Sequence, residues 1–275
     1  MDKFNIKSMK LYNNVNRIFN ELRDIGKDKS KFLKIEDLIN FDQLHYCGTD
    51  AVDFAIKKTQ INSNKSILEV GSGIGGPARY IAYKTKASVT ALEIQADQNK
   101  IAEDLTKKCK LSKNVKNIKG DILNYNWKNK KFNVLVSWLA FYHIKNQKKL
   151  LDNCFNLIKK NGYYYAEDLI CEKKINTRNL TELSKELYAN YLPTYEKYLS
   201  LLEKKGFKII YHRNMSSKWA RFVKKRKLSY QKNKNRNIRV HGKITYGNIG
   251  YFYKIVHKHF KLKNIGGIRV VAKKI

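Results

Sequence analysis

Glu69, Glu93 and Asp121 each stand at or just past the end of an apolar run, and Gly71, Gly73 and Gly76 follow the first of them as GxGxxG. Glycines in that position let a chain turn tightly from strand into helix, so that backbone N–H groups and a helix N-terminus face a nucleotide. The glycine spacing alone suits a nicotinamide or flavin nucleotide equally well, and an acid at Glu93 would suit the ribose diol of either. Glu69 shifts the balance. A carboxylate two residues before the first glycine lies beside the loop where a pyrophosphate would be unwelcome. Asp121, in KGDIL, offers an acceptor to an exocyclic adenine amine. Acids after three successive strands therefore suit a nucleoside with a cationic sulfonium tail better than a dinucleotide. Singly, each has a structural alternative: Glu69 could cap the loop and Asp121 could N-cap a turn.

These residues need a scaffold that brings strand ends together. Runs SILEV (66–70), SVTALEI (88–94), VKNIKG (115–120), FNVLVSW (132–138), YYYAEDL (163–169), FKIIYH (207–212) and GGIRVVAKK (266–274) read as strands. Helical periodicity fills the intervals near 76–84, 97–109, 147–160 and 179–205, the last divided near Pro193. Short apolar strands joined by helical crossovers imply an α/β fold with a mainly parallel sheet covered on both faces. Right-handed crossovers place the strand C-termini along one edge, where ligands of such sheets bind. Upstream, Leu11, Val15, Ile18, Phe19 and Leu22 recur at helical spacing, and GTDAVDFAIKKT reads as a second helix with Thr49 or Asp50 as its N-cap. Three parts follow: an N-terminal helical cover (1–62), a cofactor-binding core (63–212), and a basic, aromatic, lid-like insertion with the final strand of the same domain (213–275).

The formal charge of +34 is the unusual bulk property, with 57 Lys and Arg against 23 acids. Residues 206–275 carry 20 of those cations and no acid, and KKRK (224–227) and KNKNR (232–236) are dense enough to suggest a polyanion surface. A solvated basic face in a Lys- and Asn-rich chain is the plainer reading. No apolar run approaches a membrane span, and the first ten residues lack the apolar core of a secretory signal. Cys47, Cys109, Cys154 and Cys171 form no CxxC pair and have no His cluster beside them, so buried reduced thiols, no metal and a cytoplasmic location are expected.

LEVGSGIGGPARYIA, VTALEI, KGDIL and FNVLVSWLAFYHI, in that order, resemble the successive motifs of class I S-adenosylmethionine-dependent methyltransferases over residues 40–170. GSGIGGPAR with FDQLHYCGTDAV upstream is similar to small-molecule enzymes of the sarcosine/dimethylglycine and phosphoethanolamine N-methyltransferase type. Sterol C-methyltransferases carry a similar GGPAR segment. The resemblance implies a Rossmann-like fold with a seven-stranded sheet, its last strand antiparallel, and S-adenosylmethionine as cofactor. It implies that Glu69, Gly71 and Gly73 contact the methionine part, with Ser72 and Gln98 in the same set. Glu93 would hold the ribose, Ile94, Asp121 and Ile122 would frame the adenine, and Ser137 would lie under the methionine moiety. Tyr46 and His143 occupy the positions of the Tyr and His that close the active site of the phosphoethanolamine enzymes. Leu139, where those enzymes have an acid, Leu169, where they use a Tyr, and the lack of an Arg before Tyr191 argue against phosphoethanolamine itself.

The expected reaction is methyl transfer to a small molecule, an amine or amino-acid derivative, with His143 accepting or relaying the amine proton and Tyr46 as latch. A histidine packed against a backbone carbonyl is the alternative for His143. Trp138, Phe141, Tyr142, Tyr188, Tyr191 and Tyr195 could surround a methylated ammonium or fill core. The basic insertion suggests an anionic acceptor. The rivals are an RNA methyltransferase gripping phosphates through the basic C-terminal region, a sterol or lipid-type C-methyltransferase touching anionic lipid, and a catalytically silent cofactor-binding protein. Against the nucleic-acid reading, the fourth strand ends in SWLAFYHI rather than an Asn/Asp-Pro-Pro-aromatic pattern.

Overall fold

The computed structural model describes residues 6–275, so the first five residues of the expected N-terminal cover lie outside it. Seven strands form one sheet in the order β3-β2-β1-β4-β5-β7-β6. They are β1 (Ser66–Val70), β2 (Ser88–Glu93), β3 (Val115–Lys119), β4 (Phe132–Trp138), β5 (Ile158–Ile170), β6 (Phe207–Asn214) and β7 (Gly266–Lys274). Neighbouring strands are parallel except at β7, which runs antiparallel to both β5 and β6. The order reverses at β1, with β2 on one side and β4 on the other, which opens a crevice at their C-terminal ends.

The strands read as near-continuous apolar runs because helices cover both faces. On β1 the pleat sends Ile67 to one face and Leu68 to the other. Ile67 joins Val89, Val134 and Ala78 under α2 (Gly48–Thr59) and α3 (Gly76–Thr85). Leu68 joins Leu135, Leu150 and Leu202 under α5 (Gln147–Leu157) and α7 (Tyr195–Lys205). A third apolar cluster, holding Tyr46, Leu183, Trp219 and Phe260, seats α6 (Thr177–Leu187), α8 (Ser216–Lys232) and α9 (Lys234–Lys261) over one end of the sheet. A fourth, with Ile18, Leu22 and Leu105, docks α1 (Arg17–Asp24) on α4 (Ala96–Lys108).

The expected elements differ from the observed ones in four places. The opening helix is short: Leu11 and Val15 lie in turns ahead of α1, in a stretch whose Asn13, Asn14 and Asn16 are poor helix formers, and Asn14 donates to Thr245 Oγ1 of α9 (2.9 Å). Helix α2 begins earlier than its expected cap. Cys47, at φ 66°, turns the chain into it, and Thr49 and Asp50 sit in its first turn. Helix α5 stops at Leu157 and the chain enters β5 at once, five residues before the expected strand. The cysteines are free, but only Cys154 is buried.

The insertion is an antiparallel pair of helices. Tyr230 of α8 stacks on Tyr246 of α9 with centroids 5.2 Å apart, and α9 kinks at Gly242, whose φ of 81° is left-handed. Part of its positive charge is paired with acids of α1. Arg236 reaches Glu21 (2.6 Å) and Asp24 (2.8 Å), and Arg239 reaches Asp24 (2.6 Å). Among the described residues no helix is long and apolar enough to cross a membrane, and no group of three His, Cys, Asp or Glu could hold a metal ion.

Candidate active site

A cavity of about 410 Å³ opens at the C-terminal ends of β1, β2, β3 and β4. Of the expected site residues, Tyr46, Glu69, Gly71, Ser72, Gly73, Glu93, Ile94, Gln98, Asp121, Ile122 and His143 all line it. Ser137 does not. Its hydroxyl donates to the Val70 carbonyl (3.0 Å), so it ties β4 to β1 beneath the cavity rather than facing a ligand.

The glycine loop is shaped by what it must approach. Gly71 and Gly73 take φ of 74° and 54°, and a Cβ on Gly71 would collide with the side chain of Ala140, just past β4. The loop after β1 and the loop after β4 therefore touch across the switch point. Arg79, the arginine of GGPAR, braces this loop from below: one Nη donates to the Ile74 carbonyl (2.7 Å), the other to Asp42 Oδ2 (2.9 Å). Both side chains are fully buried.

The three acids differ in state. Burial pushes the Glu69 carboxyl up to about 8, with Arg79 opposing, and its Oε2 is buried with no hydrogen-bond partner. Glu93 accepts from the Gly73 N–H on Oε2 and the Gln95 N–H on Oε1, both at 2.8 Å. Burial raises it, against those bonds. Asp121 caps its own turn, accepting from Leu123 N and Asn124 Nδ2, each at 2.9 Å, while still lining the cavity. Capping the turn does not remove Asp121 from the cavity wall. Ser72 Oγ and Gln98 Oε1 are likewise buried without partners. Orphaned polar atoms are costly inside a protein unless a ligand completes them. Here they ring a cavity whose acids suit a cation, a ribose and an adenine, so the residues present fit S-adenosylmethionine.

At the other end His143 sits against Tyr142 (3.9 Å between centroids), Tyr188 (5.9 Å) and Tyr12 (6.5 Å). Its Nδ1–H donates to the Tyr188 carbonyl at 2.9 Å, which leaves Nε2 as the bare nitrogen, and Nε2 is buried and unpartnered. Burial pushes the ring down to about 4, opposed by that hydrogen bond. The packed and the cavity-facing readings of His143 thus coexist on its two nitrogens. Tyr46 packs on Trp219 (5.1 Å), Phe222 (5.6 Å) and Phe260 (6.1 Å), so α8 and α9 hold its ring. Of the aromatics, Trp138, Tyr142 and Tyr188 line the cavity, Phe141 stacks on Tyr164 in the core, and Tyr195 bonds His212 away from it.

Sequence reasoning missed Tyr12, His45, Arg226 and Phe252, which also line the cavity. Tyr12 lies in turns where helical spacing predicts a helix, and His45 donates to the Gly48 carbonyl (3.0 Å) beside the left-handed Cys47. Arg226 was one letter in a basic run. Its phase on α8, one turn from buried Val223 and two from buried Trp219, was the available signal.

Comparison with known proteins follows the same lines. The family described as "Methyltransferase domain" matches residues 61–236. The chain is similar to a phosphoethanolamine N-methyltransferase of Plasmodium falciparum, 25% identical over 204 residues and covering 73% of each chain. It is similar to a sterol 24-C-methyltransferase of Debaryomyces hansenii, 27% identical over 126 residues, covering 46% of this chain and only 33% of that protein. The chain therefore spans about a third of the sterol enzyme's length. Among solved structures it is similar to the Haemonchus contortus phosphoethanolamine N-methyltransferase 2 in complex with phosphomonomethylethanolamine and S-adenosylhomocysteine. The TM-score is 0.78 at 18% identity, covering 93% of this chain and 60% of that one. The sheet order and this likeness make the fold that of class I methyltransferases.

Proposed function

The chain belongs to the methyltransferase domain family of S-adenosylmethionine-dependent enzymes, and on that premise we propose that its methyl acceptor is a small amine. When bound, S-adenosylmethionine supplies a methyl group on a sulfonium, open to in-line displacement by a lone pair. The chain's part is to hold, aim and keep dry. Glu69 Oε2 would take the cofactor's ammonium. Glu93, already oriented by the Gly73 and Gln95 N–H groups, would take the ribose hydroxyls, and Ile94, Asp121 and Ile122 would frame the adenine.

The observation that carries the amine reading is the bare Nε2 of His143 in a cavity walled by Tyr12, Tyr46 and Tyr142. A low-dielectric cavity favours the neutral amine over the ammonium. A ring held near 4 accepts a hydrogen bond but does not retain a proton. His143 therefore accepts the amine N–H, aims the remaining lone pair, and relays the proton released after transfer towards solvent. Tyr46, fixed by Trp219 and Phe222, closes the acceptor end and excludes water. Arg226 and Arg236 turn inward and Arg239 is paired with Asp24, which weakens the case for the basic insertion as an RNA grip.

A cofactor-turnover screen over glycine derivatives, phosphobases, thioethers, sterols and RNA tests this reading. Turnover is expected on an amine, and His143→Ala is expected to lower it about 100-fold while S-adenosylhomocysteine affinity changes less than about threefold. Turnover confined to sterol or RNA would overturn the amine assignment.

A further inference from the structure

A second cavity, of about 500 Å³, adjoins the first. Tyr12, Leu44, Ile74, Gln98 and Arg226 line both, so the two are adjoining chambers that share a wall. The outer chamber lies between α1, the segment around residues 40–44 and the far end of the α8–α9 hairpin. Three arginines (Arg17, Arg226 and Arg236) face it, with a single carboxylate, Glu21.

That carboxylate is already engaged. Glu21 Oε2 takes Arg236 at 2.6 Å and Oε1 takes His241 Nε2 at 2.8 Å. Arg17 and Arg226 are left, half-buried, with no acidic partner among the described residues. Arg226 uses one Nη on the His45 carbonyl (2.9 Å) and lays its guanidinium over Phe222 (4.5 Å) and Tyr46 (5.7 Å). Most of its five donors remain unused. His241 Nδ1, in the same wall, is buried with no partner. Withdrawing two guanidinium groups from water without a counter-charge is expensive, and the expense is met when a ligand brings the charge. A planar fork of donors selects a carboxylate or a phosphate.

We propose that the outer chamber is the anion subsite of the methyl acceptor, in which Arg226 and Arg17 take a carboxylate or phosphate group while the amine of the same molecule reaches His143 in the inner chamber. The proposal rests on the amine reading given above and deepens it: the acceptor is bipartite, cationic or neutral at one end and anionic at the other. Arg226 is the hinge of the arrangement because it faces both chambers and lies over the ring of Tyr46. It is a specificity residue, reading the end of the acceptor that does not react.

The test is calorimetric titration of the full chain saturated with S-adenosylhomocysteine. The probes are phosphoethanolamine and inorganic phosphate in one arm, N-methylglycine in the other, and ethanolamine as the amine without an anion. Either anionic amine is expected to bind at least tenfold tighter than ethanolamine; the arm that does so says whether phosphate or carboxylate is the group. Arg226→Gln and Arg17→Gln are each expected to lose about 10- to 100-fold of that affinity, the range of a charge-assisted hydrogen bond. Arg226→Lys should recover part of it, and S-adenosylhomocysteine affinity should stay within about threefold throughout. Should Arg226→Gln fail to fold, Arg17→Gln, on a different element, carries the same comparison. Wild-type anion affinity in both glutamine variants, or equal binding of ethanolamine and the anionic amines, overturns the subsite. Arginine-dependent phosphate or carboxylate binding without methylation of any amine upholds the subsite and instead removes the amine reading.

Discussion

Arg79 Nη2 lies 2.9 Å from Asp42 Oδ2, and this buried pair joins the glycine loop to the segment that leads into α2. The GGPAR arginine is an internal strut, which explains why GGPAR and the upstream FDQ occur together in this chain. The cofactor loop and the wall bearing His45 and Tyr46 are positioned by the same guanidinium. Gly76 belongs to the contact too, since a Cβ there would run into the Asp42 carbonyl.

Removing one partner of such a pair leaves the other buried and uncompensated. Arg79→Met should destabilise the chain by about 3–5 kcal/mol. Adding Asp42→Asn should return part of that loss, because no charge is then stranded. Denaturant midpoints of the two single variants and the double variant give the coupling; strict additivity would mean that the pair does not act as a strut.

Gly71→Ala meets two obstacles, a left-handed φ and the side chain of Ala140. Cofactor affinity should fall by about one order of magnitude or more, in keeping with about 1–3 kcal/mol for strain and overpacking. Ala140→Gly in the same chain removes the collision and should recover part of the affinity. Titration with S-adenosylhomocysteine distinguishes the two contributions, since only the collision responds to the second change.

Glu69, pushed up to about 8 by burial, is mostly protonated at pH 7 before a ligand arrives. Engaging a cationic ammonium requires the carboxylate, so binding should release about one proton at pH 7. The apparent binding enthalpy then depends on the ionisation enthalpy of the buffer, and affinity strengthens as pH rises from 6 towards 8. Glu69→Gln should abolish the proton release and weaken binding. Identical enthalpies in phosphate and Tris would contradict the assignment.

Asp168, at the end of β5, accepts backbone N–H groups from Tyr142 (3.2 Å) and Leu169 (3.0 Å) on one oxygen, and burial pushes it up to about 8 against those bonds. An unfolded Asp titrates near 3.9. The folded chain therefore holds the proton more tightly, so this group's contribution is full below about pH 4 and declines as pH rises through about 8. Asp168→Asn should remove that decline. Its stability relative to wild type should grow between pH 6 and pH 9 in urea melts, and parallel profiles would count against a raised carboxyl.

Much of the scaffold was legible because burial on both faces writes itself into sequence. SILEV, FNVLVSW and GGIRVVAKK coincide with β1, β4 and β7 at both ends. The acids were legible because a polar residue closing an apolar run must meet either solvent or a ligand, and the cavity contains Glu69, Glu93 and Asp121. The rest depended on contacts between distant segments. Helical phase sets Arg226 on the side of buried Val223 and apart from the exposed Lys224 and Lys225, but only the packing of α8 against Tyr46 shows that this side faces two chambers. The place of Ser137 at the end of its strand was legible, but the bond of its hydroxyl to the Val70 carbonyl was not. Around Tyr12 the apolar spacing is helical but the chain forms turns, so periodicity pointed the wrong way there.

Strand β7 enters the sheet between β5 and β6, and a Cβ on its Gly267 would strike the ring of Trp219. This has a consequence for synthesis. As the chain leaves the ribosome, β5 and β6 emerge long before the strand that separates them, with the 46 residues from Ser216 to Lys261, the span of α8 and α9, intervening. Until β7 arrives, each presents an unpaired row of backbone donors and acceptors, an invitation to the wrong neighbour. The helical insertion is thus a delay written into the middle of a sheet, and the chain's most hazardous interval falls in the time taken to translate its lid.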